Sequence, residues 1–164
     1  MHVLVFTGEY EHTIDAKSRL AIPADLRSRI MGESPDSCSA IQIYVTPGEG
    51  QTLYLYTESG FEARAAELQN SQLDADQLLT YERMWFSRAR CVEIDGNGRI
   101  RLPEKLLKRA GLGKEVVLLG VNDHLEVHGR DNWYAYVEQI YQEQPQLLVN
   151  PRRAIQQASS KSSG

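Results

Sequence analysis

The chain has 164 residues, of which 41% are hydrophobic, and it carries a net charge of −4 at pH 7. This length suits one ordinary domain or two small halves that share a core, while the acidic balance excludes a protein that coats nucleic acid indiscriminately. No basic start is followed by a long apolar run and no stretch reaches about 18 apolar residues, so we expect neither a signal peptide nor a membrane span.

The first half of the chain is predicted to alternate short strands with helices. In chain order the elements are a strand over residues 1–7, two strands over 11–14 and 19–22 around a polar turn, a helix over 24–30, a hairpin with strands 40–46 and 52–57, and a helix beginning near Ser59. Ser59 and Glu62 have the spacing of a capping box, which predicts Ser59 as the N-cap. A linking helix over 76–88 follows, with Leu78, Tyr81 and Trp85 on its inner face.

The second half repeats this order of elements. Short strands flank the turn at residues 95–98, and then come a helix over 104–110 ended by Gly111, a hairpin with strands 115–121 and 125–128, and a closing helix with Trp133, Val137, Ile140 and Tyr141 on one face. After about Gln144 the sequence becomes rich in proline, asparagine and serine, which predicts a flexible tail.

One motif, Asp-x-x-x-Arg-x-x-x-Pro, occurs in both halves at an offset of 80 residues. Its two copies contain Asp15, Arg19 and Pro23, and Asp95, Arg99 and Pro103. Such a repeat builds one symmetric or paired object, whereas most enzyme sites bring several different groups together. Asp-Gly and Asn-Gly in the second copy are strong turn signals, and each proline fits the first position of a helix.

The spacing of Asp and Arg in the motif has more than one interpretation. Across a tight turn the carboxylate either fixes the guanidinium or caps backbone N–H groups. A guanidinium held out from a rigid turn suits phosphate or the guanine edge in a major groove, and Lys17 and Arg101 add charge beside Arg19 and Arg99. Alternatively, both pairs are internal salt bridges and the motif only shapes two turns.

Charge is segregated along the chain. Residues 88–109 carry seven basic and three acidic side chains, a net charge of +4, and they include the second motif. Residues 57–82 carry one basic and six acidic side chains, a net charge of −5. The acidic net charge therefore does not exclude a local basic face, and the positive segment coincides with the second motif.

No other pattern indicates chemistry. Cys38 and Cys91 lack metal-ligand spacing, so we expect ordinary buried and reduced thiols in a cytoplasmic protein. The histidines do not combine with cysteines in a metal pattern, Ser18 has no pattern of His and Asp around it, and Gly96 with Gly98 lacks the rest of a phosphate-binding loop. The sequence therefore predicts no enzyme, no metal and no cofactor.

The segment from Gly8 to Pro23, together with the segment from Asp95 to Pro103, resembles the MraZ family of bacterial transcriptional regulators. The resemblance implies an α+β fold of two tandem AbrB-like swapped-hairpin β-barrel units with short helices, related by a pseudo-two-fold axis. It also predicts a division into a first unit over residues 5–57, a helical linker over 58–90, a second unit with its closing helix over 91–142, and a tail over 143–164.

The resemblance also implies a function. It predicts a sequence-specific DNA-binding regulator that represses the division and cell-wall gene cluster. The regulator would bind short repeats upstream of its own operon as a ring of identical subunits. It would be cytoplasmic and nucleoid-associated. The predicted partners are double-stranded DNA and further copies of the chain, with no membrane and no small-molecule substrate. The implied DNA contacts are Lys17, Arg19, Arg99 and Arg101, and the implied structural residues are Asp15, Pro23, Asp95, Gly98 and Pro103.

The chain departs from the family pattern at two positions. Ser18 replaces the usual glycine before the first motif arginine, and His128 replaces an aromatic residue near the end of the second hairpin. A residue other than glycine at positive φ costs about 1 kcal/mol, which predicts an altered first turn or a relaxed preference there. The rival interpretation is an antitoxin-like or scaffold AbrB-fold module that binds a protein partner instead of a specific DNA sequence.

Overall fold

The computed structural model describes residues 4–32, 40–148 and 150–162. The chain divides into two compact units, of which the first ends at Arg130 and the second begins at Asp131. The strands named below all lie in the first unit. The four-part division of the chain expected from the sequence stays a prediction.

Two antiparallel sheets form the first unit. In chain order the strands are β1 (Glu9–Thr13), β2 (Arg19–Ala21), β3 (Gln42–Pro47), β4 (Thr52–Thr57), β5 (Arg90–Glu93), β6 (Arg99–Arg101), β7 (Glu115–Val121) and β8 (His124–Gly129). Six of them make one sheet in the order β1-β7-β8-β4-β3-β5, and β2 pairs with β6 alone. We call the β2–β6 pair the ribbon.

Helices follow or connect these strands. They are α1 (Ala24–Gly32), α2 (Glu58–Gln69), α3 (Ala75–Phe86), α4 (Glu104–Ala110), α5 (Arg130–Glu143) and α6 (Pro151–Lys161), with a 3-10 helix over Pro145–Leu148. The N-cap of α2 is Thr57, whose hydroxyl accepts the Gly60 N–H at 3.1 Å, so the prediction of Ser59 as N-cap is wrong. Gly111 ends α4 in the left-handed conformation with φ 64°, as predicted.

The strand order of the large sheet is symmetric. Replacing each strand by its equivalent in the other half of the chain gives the same order read from the opposite edge. β1 corresponds to β5, β3 to β7 and β4 to β8, so strands of the two halves alternate across the sheet. Tyr54 pairs with Glu126 at the centre of the large sheet, and Leu20 pairs with Ile100 at the centre of the ribbon. A pseudo-two-fold axis passes between both pairs, which confirms the predicted swapped-hairpin fold.

Both halves contribute equivalent side chains to one core. The first half supplies Leu20, Ile22, Leu26 and Ile30, and the second supplies Ile100, Leu102, Leu106 and Ala110 at the 80-residue offset, all of them 5% exposed or less. The core also contains apolar residues of β3, β4, β7 and β8. Because each half covers only part of this core, the halves depend on each other for burial of apolar surface.

Several local expectations from the sequence are wrong. Tyr81 does not lie on an inner face of α3 but is 57% exposed, and the Cys91 thiol is exposed rather than buried. Cys38 lies outside the described residues. Pro103 is the N-cap of α4 with φ −61°, one position before the helix, because helix hydrogen bonding begins at its carbonyl.

The start of the chain also differs from the expectation, and its end contains helices. Of the first predicted strand, residues 1–3 lie outside the described residues, and the remainder forms a single bridge between Phe6 and Asn122. Pro145–Leu148 form a 3-10 helix and Pro151–Lys161 form α6, while the flexibility expected for the tail stays a prediction. The side chain of Asn150 caps α6, and Pro151 lies in its first turn.

Candidate nucleic-acid interface

The two motifs fold into the same tight turn. The Ser18 N–H donates to the Asp15 carbonyl at 2.9 Å, and the Gly98 N–H donates to the Asp95 carbonyl at 3.0 Å. Ser18 has φ 61° and Gly98 has φ 75°, so both occupy the left-handed region. Ser18 adopts the glycine conformation despite its cost, so of the two outcomes expected from Ser18 the altered turn is wrong.

In the first turn, one carboxylate both caps the backbone and holds the arginine. Oδ1 of Asp15 accepts the backbone N–H groups of Lys17 and Arg19, each at 2.9 Å, and Oδ2 accepts the Arg19 Nε–H at 2.7 Å. Both functions that the sequence suggested for the aspartate thus occur together. The backbone hydrogen bond from Arg19 is the largest cause that lowers the pKa of the Asp15 carboxyl, and the Arg19 side chain adds to it.

The second turn has the same bonds. Oδ1 of Asp95 accepts the backbone N–H groups of Asn97 and Arg99 at 2.9 and 3.0 Å, and Oδ2 accepts the Arg99 Nε–H at 3.2 Å. The pKa of the Asp95 carboxyl is again lowered, with the backbone N–H of Arg99 as the largest cause. Both aspartates are therefore held in the charged form that pairs with arginine.

Each motif arginine is fixed at one nitrogen only. Within the part of the chain that the structure describes, Arg19 and Arg99 bond to their aspartates through Nε, and their terminal nitrogens have no partner. The two arginine side chains have the same exposed fraction, 29%. A guanidinium held in this way presents its outer edge for a two-point contact with a phosphate or a guanine.

The ribbon brings the two turns together. Arg19 lies opposite Arg101, and Ala21 lies opposite Arg99, so the three arginines share the face of the ribbon that is opposite to Leu20 and Ile100. The backbone joins the turns as well, since the Ile22 N–H donates to the Gly98 carbonyl and the Leu102 N–H to the Ser18 carbonyl, at 2.9 and 2.8 Å.

The predicted site residues therefore form one group. Lys17 and Arg101 are exposed, Arg19 and Arg99 are half-buried, and the two aspartates hold the turns, while Pro23 and Pro103 lead from the ribbon into α1 and α4. The sequence placed these residues in two separate motifs, and the structure joins them on one surface. Whether they contact DNA stays a prediction.

The contact of Arg27 with the second turn was not predicted from the sequence. A Cβ added to Gly98 would lie 2.5 Å from Cζ and 2.7 Å from Nε of Arg27, so the guanidinium lies directly against the glycine. At the 80-residue offset Arg27 corresponds to Leu107, and Gly98 corresponds to Ser18. Where one turn has glycine the opposite helix has arginine, and where the other turn has serine the opposite helix has leucine. This correlated difference was the signal available in the sequence, since only glycine leaves room for the guanidinium.

This difference between the turns predicts opposite effects of exchanging their residues. Ser18→Gly should raise the free energy of unfolding by about 0.5–1 kcal/mol, because it removes the cost of a left-handed serine. Gly98→Ser should lower it by more than about 1 kcal/mol, since it adds that cost and displaces Arg27. Urea unfolding monitored by tryptophan fluorescence measures both values. A Gly98→Ser variant as stable as the unmodified protein would show that Arg27 does not lie against this turn.

Comparison with known proteins identifies the family. Residues 5–81 and 85–153 match the family described as "MraZ protein, putative antitoxin-like". The chain belongs to the MraZ family. Its two matched segments correspond to the two motif-bearing halves, so the doubled motif and the resemblance noted in the sequence are confirmed.

Similar proteins share most of their length with this chain. Each is named transcriptional regulator MraZ: that of Ligilactobacillus salivarius is 35% identical over 82% of this chain and 88% of its own length, that of Thermomicrobium roseum 32% over 87% and 94%, and that of Symbiobacterium thermophilum 34% over 80% and 89%. These names support a role in transcription regulation, and none of them indicates a catalytic family.

The described residues form neither a membrane span nor a metal site. No helix among them is both long and apolar enough to cross a membrane. Nor do the histidine, cysteine, aspartate and glutamate side chains in these ranges form a group of three or more that could hold a metal ion.

Proposed function

We propose that this MraZ-family protein is a sequence-specific regulator of transcription that binds double-stranded DNA through the outer face of the ribbon. The observation that carries the proposal is the placement of Arg19, Arg99 and Arg101 on this face. Two of these arginines are held rigid by Asp15 and Asp95 while their outer nitrogens stay available. Rigid guanidinium groups lose little conformational entropy on binding and suit the acceptor edge of guanine.

The charge distribution supports a specific contact of modest strength. Lys17 and Arg101 are exposed cations that suit contacts with phosphates, and such contacts position a protein on DNA. Arg19 and Arg99 are the candidates for contacts with bases. The net charge of −4 disfavours non-specific binding. One chain has few contacts, so useful affinity requires several copies acting together, which a ring of identical subunits on repeated sites would provide.

The family resemblance supplies the finer part of the proposal. We propose that the protein acts in the cytoplasm at the nucleoid, binds short repeats upstream of its own operon, and represses the division and cell-wall gene cluster. It would do so without a cofactor and without enzymatic turnover. The similar proteins named as transcriptional regulators support the regulatory role in general.

The test is fluorescence anisotropy with labelled DNA from upstream of the protein's own gene. The Arg19→Ala/Arg99→Ala variant should lose affinity by at least about 30-fold, because two base contacts of about 1–3 kcal/mol each are removed. Arg83→Ala/Arg153→Ala removes the same charge from outside the ribbon and should bind almost as well as the unmodified protein. Light scattering should give the same particle mass for all three proteins.

Scrambled DNA separates the regulator from its rival. Preference of the unmodified protein for the native sequence, lost together with Arg19 and Arg99, supports the regulator. Equal binding of native and scrambled DNA that neither pair of substitutions changes would contradict it, and would favour the antitoxin-like or scaffold module. The acidic segment 57–82, which carries the exposed Tyr81 and Leu79 of α3, would then be the first surface to test for a protein partner.

A further inference from the structure

His124 at the start of β8 lies between two carboxylates. Its Nδ1 is 2.9 Å from Oδ1 of Asp123, and its Nε2 is 2.9 Å from Oε1 of Glu126. The rings of Tyr54 and Tyr56 pack against the imidazole with centroid distances of 4.7 and 5.4 Å, and the His124 side chain is only 11% exposed. Both ring nitrogens therefore face a carboxylate oxygen rather than water.

This geometry fixes the protonation state of the imidazole. An ionised carboxylate only accepts hydrogen bonds, and a neutral imidazole has a single N–H to donate. His124 can therefore donate to Asp123 and Glu126 at the same time only as the imidazolium cation, which has two N–H groups. With a neutral ring, one of the two contacts would set a nitrogen lone pair against a carboxylate oxygen. The observed arrangement is that of the protonated ring.

Asp123 also attaches helix α2 to the second hairpin. Its Oδ2 accepts from Nη2 of Arg64 at 2.5 Å, while Nη1 of Arg64 donates to Glu67 at 2.7 Å. The first turn of α2 lies against the same place, since a Cβ added to Gly60 would be 3.5 Å from the Asp123 carbonyl oxygen. One carboxylate therefore joins His124 of the second half to Arg64 of the first. We call Asp123, His124 and Arg64 the clasp.

The clasp has no equivalent at the matching positions of the other half, although the fold is doubled. Across the pseudo-two-fold axis, Thr52 of β4 occupies the position equivalent to His124. At the same spacing along the chain, Tyr136 of α5 corresponds to Arg64 of α2. Neither Thr52 nor Tyr136 can become a cation, so these positions cannot attach α5 in the way that the clasp attaches α2.

Loss of the His124 proton would break the bond to Asp123 rather than the bond to Glu126. The titratable and charged groups around His124 come from the second hairpin, from β4 and from α2, and they are Asp123, Glu126, His128, Tyr54, Tyr56 and Arg64. Burial raises the pKa of both tyrosines, which therefore stay neutral near pH 7. The Glu126 side chain is 15% exposed and that of Asp123 is 37% exposed, so Asp123 can turn to water at the lower cost.

We propose that the clasp is a pH-sensitive attachment of α2, in which the His124 imidazolium fixes Asp123 for Arg64 and deprotonation of His124 releases the helix from the second hairpin. Burial lowers the pKa of His124, but the bonds to Glu126 and Asp123 outweigh burial and raise it above its ordinary value. The clasp is therefore closed below the raised pKa and opens as the pH rises through it. Because α2 carries part of the acidic segment 57–82, the presentation of that surface depends on pH, whether or not the ribbon binds DNA.

Amide hydrogen exchange of the full chain between pH 6 and pH 9 tests the inference. Protection factors correct for the pH dependence of the chemical exchange itself, and those of α2 should fall about 5- to 10-fold as the pH rises, the size expected for the loss of one charge-assisted hydrogen bond. Amides of the core strand β7 report global unfolding. Those of α2 should be less protected than those of β7 at every pH, because α2 opens locally.

Two variants isolate the clasp. His124→Gln removes the titrating group, and Arg64→Gln removes the bond from the helix. In each variant the protection of α2 should be independent of pH, at the low value that the unmodified protein reaches at pH 9. His12→Gln, which removes a half-buried histidine of β1, is the matched control and should keep the pH dependence.

Nitrogen-15 NMR of the imidazole gives an independent measurement. Both ring nitrogens of His124 should carry protons at pH 6, and one of them should lose its proton over the pH range in which the protection of α2 falls. A singly protonated ring at pH 6 would overturn the inference. So would a protection of α2 that does not change with pH, or one that equals that of β7 throughout, since the helix would then open only when the whole chain unfolds.

Discussion

Replacing Glu126 by glutamine is expected to destabilise the fold by about 2–4 kcal/mol at pH 7. The Glu126 carboxylate is hydrogen-bonded to His124 Nε2 at 2.9 Å and to His128 Nε2 at 2.7 Å, and its side chain is only 15% exposed. Burial alone would raise the pKa of this carboxyl, but the bonds from His124 and His128 outweigh it and lower the pKa to about 2. Compared with the ordinary 4.5, this shift corresponds to roughly 3 kcal/mol of stability.

The pH dependence of the free energy of unfolding distinguishes the ion pair of Glu126 and His124 from simple packing. Because the folded pKa of Glu126 lies below the unfolded one, its contribution is present above about pH 4.5 and is lost as the pH falls towards 2. Burial lowers the pKa of His124, but bonds to Glu126 and Asp123 raise it overall, so its contribution is present below about pH 6.5 and is lost as the pH rises through the raised value.

Urea unfolding between pH 3 and pH 8 measures both effects. The unmodified protein should lose stability steeply below about pH 4.5, and Glu126→Gln should flatten that part of the curve. Glu115→Gln is the matched control, because Glu115 pairs with Arg130 but is 56% exposed, and its loss should cost less than about 1 kcal/mol. An equally steep loss of stability below about pH 4.5 in the Glu126→Gln variant would contradict the role assigned to this carboxylate.

Leu20→Ala and Ile100→Ala should each destabilise the protein by about 2–5 kcal/mol. Both side chains are 0% exposed and pair across the ribbon at the pseudo-two-fold axis, so each truncation leaves a cavity in the same core. The double variant should deviate from additivity, because the two cavities merge. Met31→Ala, at a 56% exposed position, should cost less than about 0.5 kcal/mol.

Chemical unfolding of these variants tests whether the halves share one core. A single cooperative transition is expected for each variant, with similar losses for Leu20 and Ile100. Two separate transitions, or a loss confined to one substitution, would show that the halves fold independently, contrary to the interleaved sheet.

The doubled motif made much of the fold predictable. The turns at residues 15–19 and 95–99, the helices after Pro23 and Pro103, and both hairpins follow from local patterns whose physical cause acts over a few residues. The order of strands in the sheet does not follow from these patterns, because pairing of β1 with β7 depends on distant residues. There the family resemblance, not the local pattern, supplied the expectation of swapped hairpins.

The repeat was also harder to follow beyond the first helix. Glu11 and Cys91 are equivalent at the 80-residue offset, and they pair with Val117 and Tyr44 respectively. Tyr44 and Val117 are therefore equivalent as well, although they are only 73 positions apart. The change of offset has two causes, because α1 is longer than α4 and the connection after α1 is longer than the one after α4. The Arg27 contact was not predicted for a different reason. Packing of a helix side chain on a turn follows no local pattern, so its only trace in the sequence is that Arg27 and Gly98 differ together from Leu107 and Ser18.

The alternation of strands from the two halves has a consequence for synthesis of the protein. Glu9 in β1 pairs with Leu119 in β7, about 110 residues later. At translation rates of about 5–20 residues per second, β1 leaves the ribosome several seconds before its partner exists. The nascent chain must keep this strand edge unpaired, so chains that stall before β7 expose it to other chains.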